Sequence, residues 1–136
     1  MSERLTCVLC PIGCPIEAVR RGEDLEVLGN ECPKGVDFAV QEILHPRRNL
    51  SASVPIEGAA SRMVSVRLSA PVPRDKIFPI LAAIAVLRPE APVRRGQVLI
   101  ANVLNSGADV IATRTIKPSG DAIPVSGFPR GGFEKR

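Results

Sequence analysis

The chain has four cysteines, Cys7, Cys10, Cys14 and Cys32: three in the stretch CVLCPIGCP and one in ECPKG. No other feature constrains the fold as tightly, because anything that joins these thiols must bring a short loop and a point seventeen residues beyond it to one place. Pro11, Gly13 and Pro15 prevent a helix from running through the first three, so that stretch is a loop. A dithiol redox pair of the thioredoxin kind opens a helix in a βαβ setting and would leave two cysteines unexplained. Structural zinc takes four thiolates tetrahedrally, but zinc modules usually pair one CxxC with another, and here the fourth cysteine stands alone. The C-x2-C-x3-C spacing with a remote cysteine followed by proline suits an iron–sulfur cluster. Gly13 supplies backbone freedom for the tight loop. Val8, Leu9, Ile12 and Ile16 are expected to shield the sulfurs. The predicted centre is a 4Fe–4S cluster on Cys7, Cys10, Cys14 and Cys32, with zinc as the alternative.

The residues between the cysteines explain how the chain returns. Ile16-Glu-Ala-Val19 and Leu25-Glu-Val-Leu28 alternate apolar and polar residues around a turn at Gly22, which predicts a β-hairpin. After Cys32, Pro33 suits the first position of a helix. Val36, Ala39, Val40, Ile43 and Leu44 then form an apolar stripe, and His45-Pro46 ends the helix. Cys32 is therefore expected at a helix N-terminus, where free N–H groups favour an anionic centre.

Residues 50–117 follow a different pattern. Strands are expected at 52–56, 63–68, 98–103 and 110–116, with a helix over 75–88 in which Pro79 leaves the start uncertain. The fold class is α+β: a metal-binding loop–hairpin–helix lobe at 1–49, then a small sheet lobe with one main helix at 50–117. Residues 118–136, rich in Gly, Pro and Ser, read as a mobile tail. Below roughly 40 residues a domain usually needs a metal or cross-link, so the first lobe is expected to depend on its centre.

Charge and absences narrow the function. The first lobe carries a net −2, the second +5 and the tail +1. The basic lobe reads as a solvated face or as a match for an acidic surface, an anion or nucleic acid. Nucleic acid is not expected as a partner, because single-strand binders stack bases on aromatics. The only aromatics are Phe38, Phe78, Phe128 and Phe133. A zinc-stapled structural or nucleic-acid-binding module is the rival class. The sole histidine, His45, sits at a helix end, where capping is the expected role, so no Ser-His-Asp or Cys-His pair stands out. There is neither a phosphate loop nor a dinucleotide fingerprint. Arg94-Arg-Gly96 and Asn105-Ser-Gly-Ala-Asp109 read as turns. The longest apolar run, Ile77 to Leu87, has eleven residues, well below the ~20 of a membrane span. The first residues lack the pattern of a secretory signal, so the expected location is cytoplasmic. That compartment favours metal-bound or redox thiols over disulfides.

Two resemblances extend this reading. The run C-x2-C-x3-C followed by CPKG resembles the N-terminal 4Fe–4S motif of molybdopterin oxidoreductases such as formate dehydrogenase and periplasmic nitrate reductase. In that family the lysine after the fourth cysteine lies between cluster and pterin and helps relay electrons; Lys34 matches it by position. These 136 residues do not contain the pterin-binding domains. The resemblance thus implies that Lys34 tunes the cluster or relays electrons to a partner; an ordinary solvated lysine is the alternative. Over about residues 5–116, CVLCPIGCPIEA, VLGNECPKGVDFAVQEILHPRRNL, APVRRGQVLIANV and SGADVIATR are similar to a bacterial and archaeal family of small CxxC-motif proteins, a domain of unknown function. Its genes frequently lie beside FAD-dependent dehydrogenases of the glycerol-3-phosphate dehydrogenase type and NAD(FAD)-dependent oxidoreductases. This implies a non-catalytic, electron-carrying subunit of a flavoprotein complex.

Overall fold

The computed structural model describes residues 1–122 and Pro124. The chain divides into two compact units, Met1–Arg47 and Arg48–Arg136. Among the described residues, β-sheets and two α-helices make it an α+β protein.

The first unit contains a three-stranded antiparallel sheet, β1 (Ser2–Thr6), β2 (Pro15–Arg21) and β3 (Asp24–Leu28), in that order, followed by helix α1 (Pro33–Leu44). The expected hairpin is β2–β3, closed at the Arg21–Asp24 pair with Gly22 at φ +67° in the turn. Strand β1 is an addition to the expected elements. Its sequence, SERLT, offers one apolar residue, Leu5, and its extended form comes from pairing with β2 in register from Ser2–Val19 to Thr6–Pro15. Leu5 pairs with Ile16 and Ala18 with Val27, which puts these side chains on one sheet face. Helix α1 packs on β2 and β3. Ile16, Ala39, Cys7 and Cys14 form the buried cluster, with Leu5, Leu25, Val27 and Phe38 packed around it. The fully buried positions of α1 are Gly35 and Ala39, and the remainder of the expected apolar stripe is half-buried. At the helix end the His45 N–H donates to Gln41 O at 3.0 Å, as a C-cap does.

After the two-residue strand β4 (Arg47–Arg48), the second unit builds a four-stranded antiparallel sheet from β5 (Ser51–Pro55), β6 (Met63–Leu68), β8 (Val98–Ile100) and β9 (Val110–Ala112). The order is β5-β6-β9-β8; the short β7 (Val72–Pro73) precedes a 3-10 turn, Arg74–Lys76, and helix α2 (Ile77–Ala85). On β6, Val64, Val66 and Leu68 are buried while Ser65 and Arg67 alternate outward. Ile80 and Ile84 of α2 complete that core. Pro79 is accommodated at the third position of α2, in the first turn, where its missing N–H has no helical partner to lose. Two expected strands are shorter than their apolar runs. The first ends at Ile100 because Asn102 adopts a left-handed φ of 42° and leads into a 3-10 turn, Val103–Asn105. The second ends at Ala112. The expected tail lies mostly outside the described residues; within them, Ser119 N–H donates to Gly58 O at 3.0 Å.

Candidate metal centre

Strand parity points two of the thiols inward. Leu5 and Ile16 face the core, Thr6 and Pro15 face out, and the next pair, Cys7 and Cys14, faces in again. The Cys7 N–H donates to Cys14 O at 3.0 Å and closes the hairpin, so residues 8–13 form its loop. Gly13, at φ +67°, makes the turn back into Cys14 in the left-handed region that glycine tolerates. The cysteine loop is thus the tip of the β1–β2 hairpin. Cys7 and Cys14 are buried at its base, whereas Cys10 is exposed.

Strand β3 and α1 deliver the fourth thiol. Gly29, at φ +85°, passes so close to the Pro15 carbonyl that a Cβ there would collide with it. Asn30 Nδ2 then donates to Cys32 O at 3.2 Å, and the Gly35 N–H donates to the same oxygen at 3.1 Å. Cys32 is the N-cap residue of α1 with extended backbone, Pro33 follows it, and its side chain makes no capping hydrogen bond. The expected place of Cys32 at a helix N-terminus is therefore the observed one, and its thiol is not committed to the helix.

All four cysteines line one cavity of about 400 Å³, together with Leu9, Glu31, Pro33, Lys34 and Gly35. Lys34 lines the cavity beside the four cysteines. Glu31 is the lining residue that sequence reasoning passed over; its place immediately before Cys32 was the available signal. One expectation is corrected. Val8 and Ile12 do not shield the sulfurs: they are exposed and absent from the cavity wall, because the loop turns them outward. Ile16 packs with Cys7 and Cys14 beneath the site, and Leu9 lines the cavity while still exposed. Among the described residues, no three Cys, His, Asp or Glu side chains are grouped to hold a single metal ion. The four thiols share this cavity, and all four are free.

The two loops read as turns behave as turns. Gln97 N–H donates to Arg94 O at 3.0 Å, with Gly96 at φ +83° between them. In the other, Asn102 Oδ1 accepts from Gly107 N–H and Asp109 Oδ1 from Asn102 N–H, so the loop's own side chains take these donors.

Fold and site together define a small α+β protein with four thiols around one cavity. The chain belongs to the family described as Protein of unknown function (DUF1667), whose model matches residues 33–114. That span begins one residue after Cys32, so all four cysteines precede it. No curated protein matches the chain. Among solved structures, an NMR structure of a Clostridium perfringens protein is similar at 21% identity and a TM-score of 0.49, covering 54% of this chain and 88% of that one. Among the described residues, no helix is long and apolar enough to cross a membrane.

Proposed function

We propose that this protein is an iron–sulfur electron carrier: a cytoplasmic, non-catalytic subunit that holds one 4Fe–4S cluster through Cys7, Cys10, Cys14 and Cys32 and works with an FAD-dependent dehydrogenase-type flavoprotein. The observation that carries this reading is the cavity that all four thiols line within one unit. The donor set fits the group. Four thiolates match the ligand number of a cubane, and the C-x2-C-x3-C spacing with a remote Cys-Pro suits one. When bound, the cluster supplies one-electron chemistry.

The chain's own share is to hold and tune the site. Cys7 and Cys14 anchor it from the buried hairpin base, and Cys10 and Cys32 close it from the exposed side. The N-terminus of α1, capped by Cys32, offers favourable partial positive charge to an anionic centre. Lys34 adds a full positive charge at the cavity wall and Glu31 a negative one, so the two act on the site's potential in opposite directions. The flavoprotein partner rests on the resemblance of the chain to proteins encoded beside such dehydrogenases. Substrate chemistry belongs to that partner.

The test is an anaerobic redox titration followed by electron paramagnetic resonance. The reduced wild-type protein should give a cluster signal with one midpoint potential. Lys34→Met should lower that potential and leave iron content unchanged. Cys32→Ser should abolish the signal. A signal that persists in Cys32→Ser would contradict the ligand assignment.

A further inference from the structure

Helix α2 is apolar on both sides. From Ile77 to Leu87 no residue carries a polar side chain, yet only Ile80 and Ile84 are fully buried in the core. The opposite side presents Pro79, Ala82 and Val86 to solvent, with Phe78 exposed beside them. Phe78 and Val86 are 67% and 66% exposed. A helix that is hydrophobic all round normally lies inside a larger body or against apolar surroundings. The neighbouring 3-10 turn packs on α2 and adds Leu104, which is 49% exposed. Leu104 sits at φ 48°, a costly backbone conformation for a bulky residue. It is flanked there by Asn102, whose side chain binds Gly107 N–H, and by the Lys76 ammonium, 3.4 Å from the carbonyl oxygens of Leu104 and Asn105.

Cations mark both ends of this ridge. Arg74 and Lys76 precede α2, and Arg88 follows it with its guanidinium donating to the Ala85 and Leu87 carbonyls at 3.0 and 2.6 Å. Between residues 74 and 95 the acids are Asp75 and Glu90, set against Arg74, Lys76, Arg88, Arg94 and Arg95. Among the described residues neither Lys76 nor Arg88 makes an ion pair.

We propose that the outer face of α2, with Leu104, docks on an anionic phospholipid surface. The apolar side chains enter the headgroup boundary, and Arg74, Lys76 and Arg88 face lipid phosphates. Charge complementarity selects this occupant. A second copy of the chain, paired through the same face, would set the net positive charge of residues 74–95, five cations against two acids, against an equal charge. The ridge also has no hydrogen-bonding side chain, whereas specific protein interfaces carry about one hydrogen bond per 100–200 Å². A bilayer asks only for apolar area and cations. This is peripheral attachment, not a span.

The experiment is co-sedimentation of the intact, anaerobically purified protein with sucrose-loaded vesicles, of phosphatidylcholine alone or mixed with phosphatidylglycerol. The expected result is binding to the mixed vesicles only, weakening as salt rises. Val86→Asp and Arg74→Glu, both at exposed positions, should each lower the partition coefficient by about tenfold with unchanged thermal melting. No binding to mixed vesicles, equal binding to both compositions, or variants that bind like wild type would overturn the proposal. So would a dimer in light scattering that Val86→Asp dissolves while vesicles go unbound, which would assign the face to a second copy.

Discussion

A methyl group on Gly35 would lie 2.7 Å from Asn30 Cβ and 3.4 Å from Ile16 Cδ1. This glycine, the last residue of CPKG, lets the first turn of α1 settle onto β2 and so sets Cys32 near the Cys7–Cys14 pair. Gly35→Ala is expected to destabilise the first unit by about 1–3 kcal/mol through overpacking, and to reduce metal content in parallel. Chemical denaturation and metal analysis of the same sample check both. The four cysteines differ in the same local terms. Cys7 and Cys14 belong to the buried cluster, so Cys14→Ser removes a proposed ligand and also puts a hydroxyl into the core. Cys10 is exposed at the loop tip, so Cys10→Ser is expected to reduce metal loading with a smaller change in the apo-protein's denaturation midpoint. Both variants' apo-proteins, compared by urea titration, decide this. That the four cysteines come to one place was legible from their spacing, and Lys34 was singled out by the resemblance of CPKG to a known motif. The outward turn of Val8 and Ile12 was not legible, because a six-residue loop has no period from which to read direction.

At the scale of elements, the cysteine loop depends on a strand with almost no propensity of its own. The run SERLT holds one apolar residue, and only its pairing with β2 makes it a strand. That is why the β2–β3 hairpin and α1, with clear periodicity and a proline start, could be read from sequence, while β1 required the tertiary partner. Likewise the apolar run Val98–Val103 suggested a longer strand, but Asn102 in the left-handed region breaks it after Ile100. Helix α2 holds the second unit together through Ile80 and Ile84, both nearly inaccessible. Ile84→Ala is expected to lower the stability of that unit by about 2–5 kcal/mol, measured by urea denaturation, with little effect on metal content.

At the scale of the whole molecule, the two units have unequal means of folding. The second owns an extended aliphatic core drawn from four strands and α2. The buried cluster of the first is Cys7, Cys14, Ile16 and Ala39, so half of its members are thiols. On the proposed reading, a unit with so little apolar interior relies on the group its thiols hold. Removing the metal is therefore expected to unfold the first unit selectively. Amide exchange should become fast over β1–β3 and α1 and stay slow over β5, β6 and β9. The most direct measurement of the central claim is iron and acid-labile sulfide analysis of anaerobically purified protein, with an absorption spectrum of the same sample. The account predicts a brown protein with about four irons and four sulfides per chain and a broad visible band. A colourless protein containing one zinc and no sulfide would contradict it.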